Sequence, residues 1–203
     1  MRKLKNALKI TVILTVTYFI IACNPIADDT QSNSLLVIVS MTGTDIEDNE
    51  VNFLQSDVVQ IDPNTGLPFV AGDIAAVTFT AKLIDPSPEV TASHYNDIQV
   101  THYAVRYFRS DGKNTEGIDV PYSFTGSLSS LVTIDSTVQV SFLIVREVAK
   151  LETPLIELRD GTEEGAITMT AKVDFYGHDL TNNKVQATGY LTITFANFID
   201  PEG

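Results

Sequence analysis

The stretch ITMTAKVDFYGHDLTNNKVQATGYLTITF, residues 167–195, decides the fold class. Ile167, Met169, Ala171, Val173 and Phe175 recur at every second position. After a break, Val185, Ala187, Leu191, Ile193 and Phe195 repeat the pattern. A period of two places each set on one face of a strand, because successive side chains alternate across the pleat. Gln186, Thr188, Thr192 and Thr194 occupy the other face of the second strand and suit water. Gly177 to Asn183 supply turn residues between the two runs. The stretch therefore predicts an antiparallel hairpin with one buried and one solvated face. A lone hairpin is marginal in water, so its apolar face requires a second sheet.

The same alternation extends outward along the chain. Ala75, Val77, Phe79, Ala81 and Leu83 share one face of a strand over Ile74–Leu83, with Thr78, Thr80 and Lys82 opposite. Asp97–Arg109 alternates Tyr103, Val105 and Tyr107 against His102, Ala104 and Arg106. Val138, Val140, Phe142 and Ile144 mark another strand. Leu35–Met41, Val51–Ile61, Pro121–Phe124 and Leu131–Ile134 are shorter or weaker candidates. Asp62-Pro63-Asn64-Thr65-Gly66 and Ser110-Asp111-Gly112 carry turn chemistry, since Asp accepts local amides, Pro presets φ and Gly tolerates positive φ. No helical period persists. Glu147–Arg159 spaces Val148, Leu151, Leu155 and Leu158 in a near-helical way, but Pro154 interrupts it. It predicts an irregular crossing between sheets or an edge strand. Eight or nine strands with few helices predict an all-β fold, a two-sheet antiparallel β-sandwich formed by a single domain over 35–203.

Residues 102–112, from His102 through Tyr103, Val105 and Tyr107 to Gly112, resemble the third-strand region of fibronectin type III domains. There a Tyr-x-Val-x-Tyr run faces inward ahead of a polar turn. The resemblance implies an immunoglobulin-like sandwich. The chain has no tryptophan and no cysteine pair. Residues 35–203 also exceed the roughly 100 residues of one such domain, so insertions are expected.

The N-terminus carries a different signal. Arg2, Lys3, Lys5 and Lys9 precede ITVILTVTYFIIA, residues 10–22, which holds no charge. Those residues fall short of the roughly 20 that cross a bilayer as a helix. They match the apolar core of a secretory signal behind a basic start, ending at small Ala22. Ile20-Ile21-Ala22-Cys23 resembles the lipobox of bacterial lipoproteins, and the whole chain looks like the uncharacterised lipoproteins of bacterial genomes. The resemblance implies a signal peptide over 1–22, cleavage before Cys23 and acylation of Cys23 by diacylglycerol and palmitate-like chains. Asn24, in place of an aspartate there, is compatible with outer-membrane sorting in a Gram-negative cell. Cys23 is the only cysteine, so no disulfide can form within the chain. Residues 24–34, NPIADDTQSNS, are polar and aperiodic and read as a flexible tether.

Charge narrows the partners. The chain carries 26 acidic and 13 basic residues, a net of −13. From residue 23 onward, 26 acids face 9 bases, a net of −17. Such a field repels phosphate backbones, so no nucleic-acid partner is expected. Gly-x-Ser-x-Gly, His-Glu-x-x-His, phosphate-loop and Cys-x-x-Cys patterns are missing from the sequence. His94, His102 and His178 are scattered. His102 reads as a sheet residue that the fold could bring near Ser127 or Ser129. His178 sits beside Asp179. Asp45, Glu47, Asp48 and Glu50, and separately Asp160, Glu163 and Glu164, offer the hard oxygens that Ca²⁺ prefers, but without the glycine and glutamate spacing of an EF-hand. They read as solvated loops, and no metal, cofactor or catalytic residue is assigned. The expected function is a lipid-anchored, non-catalytic binding module of the cell envelope, held to the membrane at Cys23 and presenting loops to an envelope protein or a glycan. Two rival readings are an envelope hydrolase centred on His102 or His178 and a structural subunit joined through an exposed strand edge.

Overall fold

The computed structural model describes residues 32–85, 93–159 and 165–198. The signal segment, Cys23, most of the tether and the acidic group Asp160, Glu163 and Glu164 lie outside those residues.

Strand β1 (Ser34–Thr44) leads into three short strands, β2 (Glu50–Val51), β3 (Phe53–Asp57) and β4 (Gln60–Ile61). Strand β5 (Pro68–Phe69) precedes the long β6 (Asp73–Leu83). Then follow β7 (Ile98–Phe108), β8 (Phe124–Val132), β9 (Thr137–Val145), the one-turn helix α1 (Glu147–Lys150), β10 (Ala166–Asp179) and β11 (Lys184–Ala196). One sheet has the order β2-β1-β6-β9 and the other β3-β11-β10-β7-β8, with β4 and β5 forming a separate ribbon. The fold is thus the all-β two-sheet sandwich predicted. The excursion 45–72, holding β2 to β5, accounts for much of the extra length. The third and sixth long strands pair as in immunoglobulin-like sandwiches, but the fourth, β8, stays beside β7, whereas the constant-type order sends it to the first sheet.

The hairpin predicted over 167–195 lies inside the larger sheet, between β3 and β7. β10 and β11 stay in register from Ala166↔Ala196 to His178↔Lys184. Met169, Ala171, Val173, Phe175, Leu191, Ile193 and Phe195 are all buried. Each large apolar side chain removed from water in this way contributes about 1.5–3 kcal/mol. The predicted turn over 177–183 is shorter in fact. Gly177 and His178 continue the strand, because Asp179 itself closes the loop by donating its amide to the Asn183 carbonyl at 2.9 Å.

Three other expectations change. The candidates Pro121–Phe124 and Leu131–Ile134 touch the two ends of one strand, β8, which takes in only Phe124 of the first and Leu131 and Val132 of the second, and whose middle is Thr, Gly, Ser and one Leu. Val51–Ile61 divides into three pieces, and β3 pairs with β11 in parallel, the only such pairing between named strands among the described residues. Glu147–Arg159 is the irregular crossing and not an edge strand: α1 is followed by a 3₁₀ turn at Leu155–Leu158.

Strand directions give the sandwich two unlike ends. β1 starts and β6 stops at the end where the chain enters, with the 133–136 and 180–183 turns. Buried carboxylates close this proximal end. Asp179 accepts hydrogen bonds from Ser32 Oγ at 2.7 Å, from Thr181 N and Oγ1 at 2.9 and 2.7 Å, and from Asn183 N and Nδ2 at 2.9 Å each. Asp97 accepts from Ile134 N at 3.1 Å. Ser34 Oγ reaches the Asn96 carbonyl at 2.7 Å. Ser32 and Ser34, read as the end of the tether, are therefore buried parts of the fold.

Burial alone would raise the Asp179 pKa, but the hydroxyl, amide and side-chain donors together outweigh it and hold the carboxyl far below its ordinary range. A depressed folded value stabilises the fold above the unfolded value of about 4 and is lost as pH falls toward the folded one. Asp179→Asn is expected to cost about 2–3 kcal/mol at pH 7, because buried donors lose their acceptor. Urea unfolding at stepwise lower pH should show the gap between the two proteins narrowing below about pH 4. A gap that widens in acid would contradict this role.

Candidate functional site

The opposite, distal end gathers the long connections: 45–49, 58–72, 109–123 and the crossing after β9. A cleft of about 410 Å³ opens between the first two. Its walls carry Asp45, Glu47, Asp48, Asp57 and Asp73 together with Ile46, Ile61, Phe69 and Phe198.

Local chemistry shapes each wall. In the β1–β2 loop, Asp45 Oδ1 accepts the amides of Glu47 and Asn49, both at 2.9 Å, and Asn49 Nδ2 lies 3.1 Å from Oδ2. These bonds, the Asn49 side chain first, hold the Asp45 carboxyl below its usual value. Asp48 takes a left-handed φ of 61° to close the loop. Ile46 N donates to Gln55 Oε1 at 3.2 Å, tying the loop to β3. Gly43 lies against the Phe53 carbonyl and Leu54, where a Cβ would collide. On the other wall the predicted Asp62 turn forms: Asn64 N donates to Asp62 Oδ1 and Gly66 N to Asp62 O, each at 2.8 Å, with Gly66 at φ 67°.

The floor is an ionic cluster that sequence reading did not reveal. Lys150 has no exposed surface. Its Nζ donates to Asp73 Oδ1 at 2.9 Å and to the Asp57 carbonyl at 2.7 Å. Ser56 Oγ donates to the other Asp73 oxygen at 2.7 Å. An ammonium taken out of water requires a counter-charge and acceptors, and this geometry supplies both. Burial raises the Asp73 pKa, with Lys150 and Ser56 opposing the shift. The three residues come from β3, β6 and α1, and the single turn of α1 serves to drop Lys150 inward. Val148 and Leu151, which the near-helical spacing marked, are exposed instead. No spacing in the sequence links residues 56, 73 and 150, so only their contact reveals the cluster.

Chemically, the Ser56 hydroxyl and the Lys150 amine are both sealed from solvent and committed to Asp73. The cluster works as a clamp joining β3, β6 and α1, with the Asp73 carboxylate meeting the cleft. Above it, carboxylates beside aliphatic and aromatic walls suit a cation with a hydrocarbon body, such as a lysine or arginine side chain.

The three histidines singled out in the sequence do not converge. His94 is exposed at the proximal end, with Nδ1 3.3 Å from Asp97 Oδ2. His178 Nδ1 faces the Asp179 carbonyl at 3.0 Å. His102 lies on the outer face of the larger sheet, opposite Ser127 in register, with its ring stacked on Tyr176. Ser129 Oγ accepts from Gln99 Nε2 at 3.3 Å. Glu50 turns away from its acidic neighbours and accepts from Thr42 Oγ1 at 2.7 Å and Gln139 Nε2 at 3.2 Å. Among the described residues, no three His, Cys, Asp or Glu side chains gather in a metal-binding group. Comparison with protein-family models and with curated proteins finds no match for this chain.

Lys150→Met is expected to cost about 3–5 kcal/mol, since it leaves Asp73 buried without its partner. Adding Asp73→Asn should recover part of that loss. Guanidinium unfolding of the single and double variants measures both. A double variant no more stable than Lys150→Met would show that the charges are not coupled.

Proposed function

We propose that the chain is a lipid-anchored, non-catalytic binding module of the bacterial cell envelope, at the outer membrane in a Gram-negative host. The anchor is Cys23, and the distal cleft receives a basic segment of an envelope protein. The observation that carries this reading is the polarity of the sandwich. Ser32, nine residues after Cys23, lies at the proximal end, whereas the cleft opens at the other. Nine extended residues reach at most about 30–32 Å, a short leash that favours the proximal end at the membrane and the cleft away from it. The basic start, the uncharged run and Ile20-Ile21-Ala22-Cys23 support acylation. Two or three acyl chains give stable anchoring, at about 0.8 kcal/mol per buried CH₂. The acidic field of the domain steers a cationic partner toward the cleft at low ionic strength.

Two measurements test the reading in cells. Full-length protein should sediment with membranes, and Cys23→Ser should move it to the soluble fraction. A photo-crosslinking residue replacing Phe69 should capture one predominant envelope protein, and Glu47→Lys combined with Asp48→Lys should abolish the capture. Membrane attachment that survives Cys23→Ser refutes the anchor. Capture that is indifferent to the charge reversal refutes the cleft.

A further inference from the structure

The outer face of the larger sheet holds a second constellation, unrelated to the cleft. His102 and Tyr176 stack with ring centroids 4.9 Å apart and planes 14° from parallel. A local irregularity of the ladder produces this alignment. Between β7 and β10 the register shifts at this point, with Tyr176↔His102 followed by Gly177↔Val100, so Thr101 is an extra residue on β7. Such bulges re-aim side chains. Thr101 Oγ1 lies 2.9 Å from His102 Nδ1 and 3.3 Å from the Tyr176 carbonyl, which fixes the imidazole over the phenol. The bulge also brings the two backbones together at Gly177, where any Cβ would collide with the Gln99 carbonyl oxygen. The shifted ladder, the glycine and the hydroxyl contacts all serve to hold two rings flat.

Next to the rings a groove of about 430 Å³ runs over Ala104, between Arg106 and Tyr176 on one side and Ser123, Phe124 and Thr125 on the other. The small Ala104 side chain leaves its floor open. Arg106 is held in place by Asp174, a carboxylate only 1% exposed on this outer face. Arg106 Nη2 lies 2.8 Å from Asp174 Oδ2, Thr188 Oγ1 donates to Oδ1 at 2.6 Å, and Lys172 Nζ lies 3.4 Å from Oδ1. Arg106 and Lys172 share that one carboxylate.

We infer that this groove is a binding site for a neutral pyranose oligosaccharide. A pyranose ring presents an apolar C–H face and a rim of equatorial hydroxyls. Aromatic rings attract sugar C–H groups, and Tyr176 lines the groove with its ring held against His102. The guanidinium of Arg106 donates to sugar oxygens in a fixed fork. The hydroxyls of Ser123 and Thr125 donate or accept along the opposite rim. The groove crosses three strands, about 10 Å at the usual strand spacing, which matches the width of a sugar chain rather than a folded partner. All these groups stand on strands or at a strand end, where side chains are held more precisely than on loops. The net charge of −13 opposes a nucleic-acid strand as the ligand.

The test uses the full-length protein in detergent micelles, with N-acetylglucosamine tetramer and cellotetraose as probes. Isotope-resolved NMR titration should shift the Ala104 and Thr125 amides with at least one saccharide. Calorimetry should show Tyr176→Ala weakening that binding roughly tenfold, the scale of a lost aromatic contact. Arg106→Ala should weaken it as well, and Ile74→Ala, on the other sheet, should not. Unchanged thermal unfolding of Tyr176→Ala separates lost contact from lost fold. If Tyr176→Ala does not fold, the milder Tyr176→Leu takes its place. No shift with either saccharide at millimolar concentration overturns the inference. So do shifts confined to another surface, binding untouched by loss of the phenol ring, or groove shifts produced by an acidic peptide and not by the sugars.

Discussion

The edge-to-face contact of Phe79 with Phe175 joins the two sheets, and most of the structure depends on it. Their ring centroids are 4.9 Å apart at 84°. Phe142 meets Phe175 in the same way at 5.3 Å, and Tyr103 meets Phe142 at 5.1 Å. Two of the four rings come from the sheet of β6 and β9, and two from the sheet of β7 and β10. Such contacts add about 0.5–1.5 kcal/mol each beyond the area they bury. Two tyrosines carry the link to a strand edge. Tyr103 donates to the Leu143 carbonyl at 3.0 Å and Tyr107 to that of Ile144 at 2.7 Å, so two carbonyls of β9 are satisfied from across the core. Burial pushes the Tyr107 hydroxyl well above its ordinary value, which keeps it a donor across the working pH range. With the sheets locked, strand direction alone decides which loops share an end.

The two ends then follow different physics. At the proximal end, short turns fold around buried carboxylates, of which Asp179 accepts five hydrogen bonds, and the entering chain is part of that network. At the distal end, the connections are long, their carboxylates face water, and the interior charge is the clamp of Lys150 and Asp73. An end closed by saturated hydrogen bonds is fitted to hold position. An end with long loops over a rigid floor is fitted to meet other molecules. The outer groove follows neither rule, since its side chains stand on strands and are aligned by a bulge.

Most of the strands were legible in the sequence wherever one face is buried. The alternations at Ile167–Phe175, Val185–Phe195, Ile74–Leu83 and Val138–Ile144 each correspond to a strand with the predicted face inward. Tyr103, Val105 and Tyr107 also face inward, as the fibronectin-like pattern implied. β8 was not legible as one strand, because an edge strand with Thr125, Ser127 and Ser129 outward and Gly126 inward has no apolar run to mark its middle. Gly126 has a reason to be there: a Cβ would strike the Tyr103 ring. The parallel pairing of β3 with β11 joins segments about 140 residues apart and leaves no local trace. The same holds for Ser56, Asp73 and Lys150, each an ordinary polar residue in its own neighbourhood. His102 was visible as a mid-strand histidine, but its alignment depends on Thr101 and Gly177, which have no periodic signature.

On the proposed reading, one end of the sandwich lies at the membrane and the cleft points away from it. β1, with 11 residues, spans about 35 Å, enough to separate the two ends for a short-range optical probe. The direct measurement places a fluorophore on Thr181→Cys or on Glu47→Cys in the acylated protein, within native membranes, and adds a quencher carried on lipid headgroups. The account predicts strong quenching at position 181 and little at 47. Equal quenching at both, or the reverse order, would contradict it.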